Sequence, residues 1–142
     1  MNTTLHRRVA ACFSVAILLL PISAMAISAD ERAARDAALH WLDLLDTHQY
    51  RQAFEAQPPR IRIPTNREHF LEWMQERRGP LGRTRSRAFL RVVHTHTLIG
   101  APDGDYQQMG FKTSFEHKAR AAEMVVLSKE TGHWQVSGYR LY

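Results

Sequence analysis

The sequence predicts an α+β domain in which N-terminal helices pack on a curved, four-stranded antiparallel meander wrapped around the first helix. Two observations carry this. Apolar residues recur at helical spacing between Ala34 and Met74, and from Ser86 onward the period shortens to the alternation of strands. A third sets the order of the strands. Short turn signals at Asp103-Gly104 and Thr131-Gly132 join successive apolar runs, so neighbours in sequence become neighbours in the sheet.

Ser28 followed by Glu31 is a capping-box signature, and it opens a helix whose Ala34, Ala37, Ala38, Trp41, Leu44 and Leu45 share one face. A shorter helical piece, YRQAFEAQ, follows a break near Thr47-His48 and ends before Pro58-Pro59, since proline restricts the preceding residue and offers no amide donor. Thr65 and Glu68 repeat the capping-box spacing before HFLEWMQERR, and Gly79-Pro80 is read as the stop. Arg77 and Arg78 then occupy a last helical turn, where cations complement the negative end of the dipole. RAFLRVVHTHTLI, YQQMGFKTSFEHK, AAEMVVLSK and WQVSGYRLY are the four strands, with Met109, Phe111, Thr113 and Phe115 on one face.

Residues 1–26 read as an export signal. His6, Arg7 and Arg8 form a basic region, Val9 to Ile22 an apolar one, and Ala24-Met25-Ala26 a small-x-small cleavage site, so the mature chain is expected to span 27–142 as one domain, periplasmic or secreted. The apolar run falls short of the about 20 residues a permanent membrane anchor needs. VAAC, ending at Cys12, is not a lipidation box, because the apolar region follows that cysteine. Cys12 is the only cysteine, so the mature chain carries neither a disulfide nor a thiolate site. Its formal charge of +5 falls to +3 with the loss of Arg7 and Arg8, and an exported domain of that charge does not point to nucleic acid.

ERRGPLGRTRSR concentrates Arg77, Arg78, Arg83, Arg85 and Arg87. Arg83, Arg85 and Arg87 alternate as a strand begins, with Arg91 on the same nominal face, so their planar guanidinium groups are placed to bind phosphate, sulfate or carboxylate. Two architectural readings stand beside this one. The segment is a solvated rim paired to Glu72 and Glu76, or Arg83 or Arg87 is a buried clamp on backbone carbonyls passing close at Gly79 and Gly82. His94 and His96 share one face of a strand, which suits a pocket acid or base or two metal ligands, but no third ligand is ordered by a motif and no metal or other cofactor is expected. Trp41, Trp73, Trp134, Phe70, Phe111, Phe115, Tyr50 and Tyr139 read as core. No nucleophile elbow, phosphate loop or paired-carboxylate signature is present.

Trp41-Leu42 with Asp46 and Tyr50, then Trp73, RRGPLGRTRSR, the PDGDY hairpin and the terminal Trp-x-Val-x-Gly-Tyr together resemble a group of small exported bacterial proteins, catalogued as domain of unknown function number four thousand and nineteen (DUF4019). That resemblance implies one exported α+β domain and brings no catalytic residues. Helices followed by a meander also look like the cystatin-like or nuclear-transport-factor-like roll. The expected function is non-enzymatic binding in the bacterial envelope, to an anionic envelope component or an acidic protein through Arg77 to Arg87. The alternative is a small-ligand carrier or enzyme with a cavity between sheet and first helix, using His94 or His96.

Overall fold

The computed structural model describes residues 27–142; the export signal read at 1–26 lies outside them. Helix α1 is Ala29–Asp46. Its cap is the expected one, with Ser28 Oγ accepting from the Glu31 amide at 3.0 Å. Ala34, Ala38, Trp41, Leu42, Leu44 and Leu45 are its buried stripe. His48, in the left-handed region at φ 59°, turns the chain into α2, Tyr50–Glu55. The Trp41 indole donates to the Ala53 carbonyl at 2.8 Å and ties the two helices together. A single turn, α3, Pro59–Arg62, follows with proline at its start, where a missing amide donor costs nothing.

Helix α4, Arg67–Arg78, departs from expectation at both ends. Asn66 caps it rather than Thr65, its Oδ1 accepting from the His69 amide at 3.1 Å. Asparagine satisfies the same orphan donor one residue later. At the other end the α-helix stops at Arg78, before Gly79-Pro80 as expected, but a short 3₁₀ turn follows it in place of a left-handed glycine cap. Gly79 keeps helical angles, and proline's fixed φ suits the first turn of a 3₁₀ segment, Gly79–Leu81. The reversal comes at Gly82.

The sheet is an antiparallel meander in the order β1-β2-β3-β4, with β1 Thr84–Thr95, β2 Tyr106–Phe115, β3 Ala121–Ser128 and β4 Gln135–Leu141. The first connection, His96 to Asp105, is a wide loop rather than a tight Asp-Gly turn. The buried face of the sheet carries Met109, Phe111, Phe115, Val125, Leu127 and Val136 against the helices. Trp41 and Tyr139 rings lie 5.4 Å apart, and Phe54 and Phe70 likewise, so aromatic contacts join α1 to β4 and α2 to α4. β1 is bulged twice, with Arg85 and Leu90 as the inserted residues, and each bulge shifts the in-out alternation by one.

Gly82 combines φ 69° with ψ −157°, and a Cβ there would lie 2.9 Å from both Glu116 Cβ and His117 Cδ2. Only glycine adopts that conformation readily. We expect Gly82→Ala to lower the unfolding free energy by roughly 1–3 kcal/mol in urea titrations. An unchanged midpoint would show that the loop shifts to accept a side chain.

Candidate functional site: an ionic cluster under the sheet

Four charged side chains meet on the inner face of the sheet. Asp46 arrives at the end of α1, Arg78 at the end of α4, Arg87 from β1 and Glu123 from β3. The side chains of Arg78, Arg87 and Glu123 are 4%, 12% and 0% exposed. Arg87 donates through Nη1 and Nη2 to the two Asp46 oxygens at 2.7 and 3.0 Å, and through Nε to Glu123 Oε2 at 2.8 Å. Arg78 donates to Glu123 Oε1 at 2.5 Å, to the Tyr139 hydroxyl at 3.0 Å, and to Asp46. Thr84 Oγ1 donates to Asp46 at 2.7 Å; Thr113 Oγ1 and the Tyr139 hydroxyl donate to Glu123 at 2.5 and 2.7 Å. The Phe115 ring lies beneath the Arg78 guanidinium, 4.8 Å from centroid to Cζ.

Two cations face two carboxylates, so the cluster is neutral, and every carboxylate oxygen is hydrogen-bonded. Burial works to raise the pKa of Asp46 and of Glu123, but the hydrogen bonds and charges of Arg87 and its neighbours outweigh it and hold both below the ordinary carboxylate values. Burial, reinforced by the Glu123 charge, pushes the Tyr139 hydroxyl well above its usual value. No member is poised to exchange a proton near neutrality, and each carboxylate oxygen already accepts from a neighbour in the cluster. The arrangement can lock elements together; it is not built for acid-base chemistry.

The five arginines of the glycine-proline segment therefore do not form one surface. Arg78 is not a solvent-facing partner of the helix dipole, and Arg87 is a buried clamp, on carboxylates rather than backbone carbonyls. Arg83 and Arg85 remain outside, 85% and 62% exposed, loosely sharing Glu116 rather than Glu72 or Glu76 at 3.6 and 3.9 Å. The bulge at Arg85 breaks the alternation that would have aligned Arg83, Arg85 and Arg87. Arg77 is exposed beside the Trp73 ring at 5.7 Å.

His94 and His96 are not brought together in a pocket. His94 is half-exposed, 3.7 Å from Glu31, and His96 lies past the end of β1, exposed and 3.0 Å from Asp105. Among the described residues, no three His, Cys, Asp or Glu side chains are grouped to hold a metal ion. Trp41, Leu42, Met109, Phe111 and Val125, all buried, fill the space between α1 and the sheet. Sequence reasoning missed Glu123 and Thr113 as cluster members. The available signal was parity, because Glu123 occupies an inward position of β3 with Ala121, Val125 and Leu127.

The opposite face of the sheet has a different chemistry. Glu123 is the only acidic residue in the four strands, and it points inward, so the outer face carries Arg91, Lys112 and Arg140 with no acid among them. Two grooves open there. One of about 290 Å³ runs past Leu90, Gly110, Met124 and Tyr142, and one of about 540 Å³ past Leu98, Ile99, Val126 and Gly138. Leu90, Val93 and Ile99 are exposed beside them.

The chain belongs to the family described as Protein of unknown function (DUF4019), which matches residues 37–139 and so takes in Asp46, Arg78, Arg87, Glu123 and Tyr139. No curated protein matches the chain.

Removing one partner of a buried ion pair strands the other charge, at about 3–5 kcal/mol. Glu123→Gln or Arg87→Gln should therefore lower stability by an amount of that order. Arg83→Gln and Arg85→Gln should each stay within about 0.5 kcal/mol of the parent. Equal losses at all four positions in chemical denaturation would refute this division.

The cluster also sets an acid limit. Asp46 and Glu123 have depressed values in the folded state, so their contribution is complete above their ordinary values of 3.8 and 4.5 and is lost as pH falls through the folded values. Unfolding midpoints measured across this range should fall more steeply for the parent than for a paired Arg87→Met, Glu123→Gln variant; parallel curves would exclude the cluster as the cause.

Proposed function

We propose that the protein is an exported, non-enzymatic binding domain that docks a partner bearing acidic and apolar side chains on the outer face of its sheet. Export rests on the basic, apolar and small-residue pattern of 1–26. The observation that carries the docking surface is the complete absence of acid from the outward positions of β1 to β4, around grooves with apolar walls. Exposed apolar side chains flanked by one sign of charge mark interaction surfaces, and the charge sets which partners approach. The inner face supports the same reading from the other side. Its four charged side chains are committed to one another, and apolar side chains pack between α1 and the sheet.

The mature chain recovered from the secreting cell should begin at Ile27. Calorimetry should show it binding a capped peptide of alternating valine and aspartate, more weakly as salt is raised. Leu90→Glu combined with Arg91→Glu should weaken that binding at least about tenfold without lowering the melting temperature. Failure of the peptide to bind, together with a thermal shift from a small metabolite, would replace this reading with the carrier.

A further inference from the structure

The free edge of β4 is built differently from that of β1. Ala122 and Tyr142 exchange backbone hydrogen bonds, Ala122 N–H to Tyr142 O at 3.2 Å and Tyr142 N–H to Ala122 O at 2.9 Å. Antiparallel ladders alternate bonded and non-bonded pairs, and the register pairs Arg140 with Met124, Leu141 with Glu123, and Tyr139 with Val125. Arg140 is therefore bonded to β3. The N–H and C=O groups of Tyr139 and Leu141 point away from the sheet.

They point into a cleft of about 220 Å³ between β4 and the end of α4, lined by Trp73, Arg77, Tyr139, Arg140, Leu141 and Tyr142. No aspartate or glutamate lies in that lining. Arg77 and Arg140 have no carboxylate partner among the described residues, although most other arginines of the folded chain are paired. β1, the other edge strand, is interrupted by bulges at Arg85 and Leu90, which spoil the repeat an added strand would need. In β4 the one register shift falls near Ser137, before the cleft.

We propose that the β4 edge is a strand-addition site for an extended acidic segment of a partner protein. The backbone of that segment pairs with Tyr139 and Leu141. Its side chains alternate between the Trp73 and Arg77 side and the Arg140 and Tyr142 side, and carboxylates meet the two unpaired guanidinium groups. A second copy of this chain is the poorer occupant, because antiparallel pairing of two β4 edges brings Arg140 and Arg77 towards their own copies. The inference rests on the docking reading above and gives the same partner a second contact, at the β4 edge beside the outer face.

The test uses the same valine-aspartate peptide, a version N-methylated at alternate residues, and a valine-lysine peptide, all titrated into the mature chain. Methylation removes the donors that pair with the edge, so binding should drop roughly tenfold or more when several bonds are lost. Arg77→Glu should cost a comparable factor, and Arg77→Glu with Arg140→Glu should acquire binding of the valine-lysine peptide, with circular-dichroism melts matching the parent. Equal affinity of the methylated peptide would overturn strand addition. Binding that withstands Arg77→Glu but falls with Leu90→Glu and Arg91→Glu would leave the outer-face reading standing and this one refuted. If the peptide does not bind the parent chain at all, the docking reading and the edge fall together. A dimer in sedimentation that Arg77→Glu strengthens would point to self-pairing instead, and equally overturns the proposal.

Discussion

The neutral quartet of Arg78, Arg87, Asp46 and Glu123 is the constraint the rest of the structure obeys. Each buried charge is costly alone and tolerable only when its partners are in place. Those partners come from α1, α4, β1 and β3, with Thr113 from β2 and Tyr139 from β4 completing the hydrogen bonds. A β3 that slipped by one residue would swing Glu123 to the outer face and leave two guanidinium groups sharing a single carboxylate, Asp46. Apolar packing between α1 and the sheet tolerates small adjustments; the quartet does not. It selects one register among those that burial alone would permit.

The bulge at Arg85 belongs to the same constraint. Without it, the alternation that turns Thr84 inward would also turn Ser86 inward and Arg87 outward. With it, Thr84 and Arg87 both reach Asp46, at 2.7 Å each by their shortest contacts. Gly82 prepares this by reversing the chain tightly, while the Glu116 and His117 amides bond to the carbonyls of Arg83 and Leu81 at 2.8 and 2.9 Å. The glycine-proline-arginine segment is thus largely the joint between the helical half and the sheet.

How much of this was legible follows from what each signal measures. Periodicity reports which faces are apolar, and it placed α1, α4 and all four strands in the right order. Capping spacing located Ser28 but chose Thr65 over Asn66, since the two candidates differ by one residue and both side chains can accept an amide. Arg78 was unreadable for a physical reason. An arginine in a last helical turn looks the same whether it faces water or enters the core, and its partners lie 32 and 45 positions away in the chain. Arg87 was read with the wrong neighbours because parity cannot reveal a bulge. Glu123 was the one legible clue, an acid among inward apolar residues.

The same distribution of charge that locks the interior shapes the exterior. The sheet has a single acid, and the cluster takes it inward to neutralise arginines, so the strands present only cations to solvent. Arg78 and Arg87 add nothing to that field, because their charges are cancelled within a few ångströms by Asp46 and Glu123. What remains outside is Arg91, Lys112 and Arg140 over apolar grooves, with Arg77 at the β4 edge. A surface field arranged this way acts on an approaching partner mainly through the rate and selectivity of encounter. The bond-forming groups must then be fixed in direction, and unpaired backbone amides on a rigid strand meet that requirement better than long side chains do. In the docking proposal, architecture and recognition are divided by the sheet itself: fixed, neutral charge beneath it, and open cationic surface ending at an unpaired edge above.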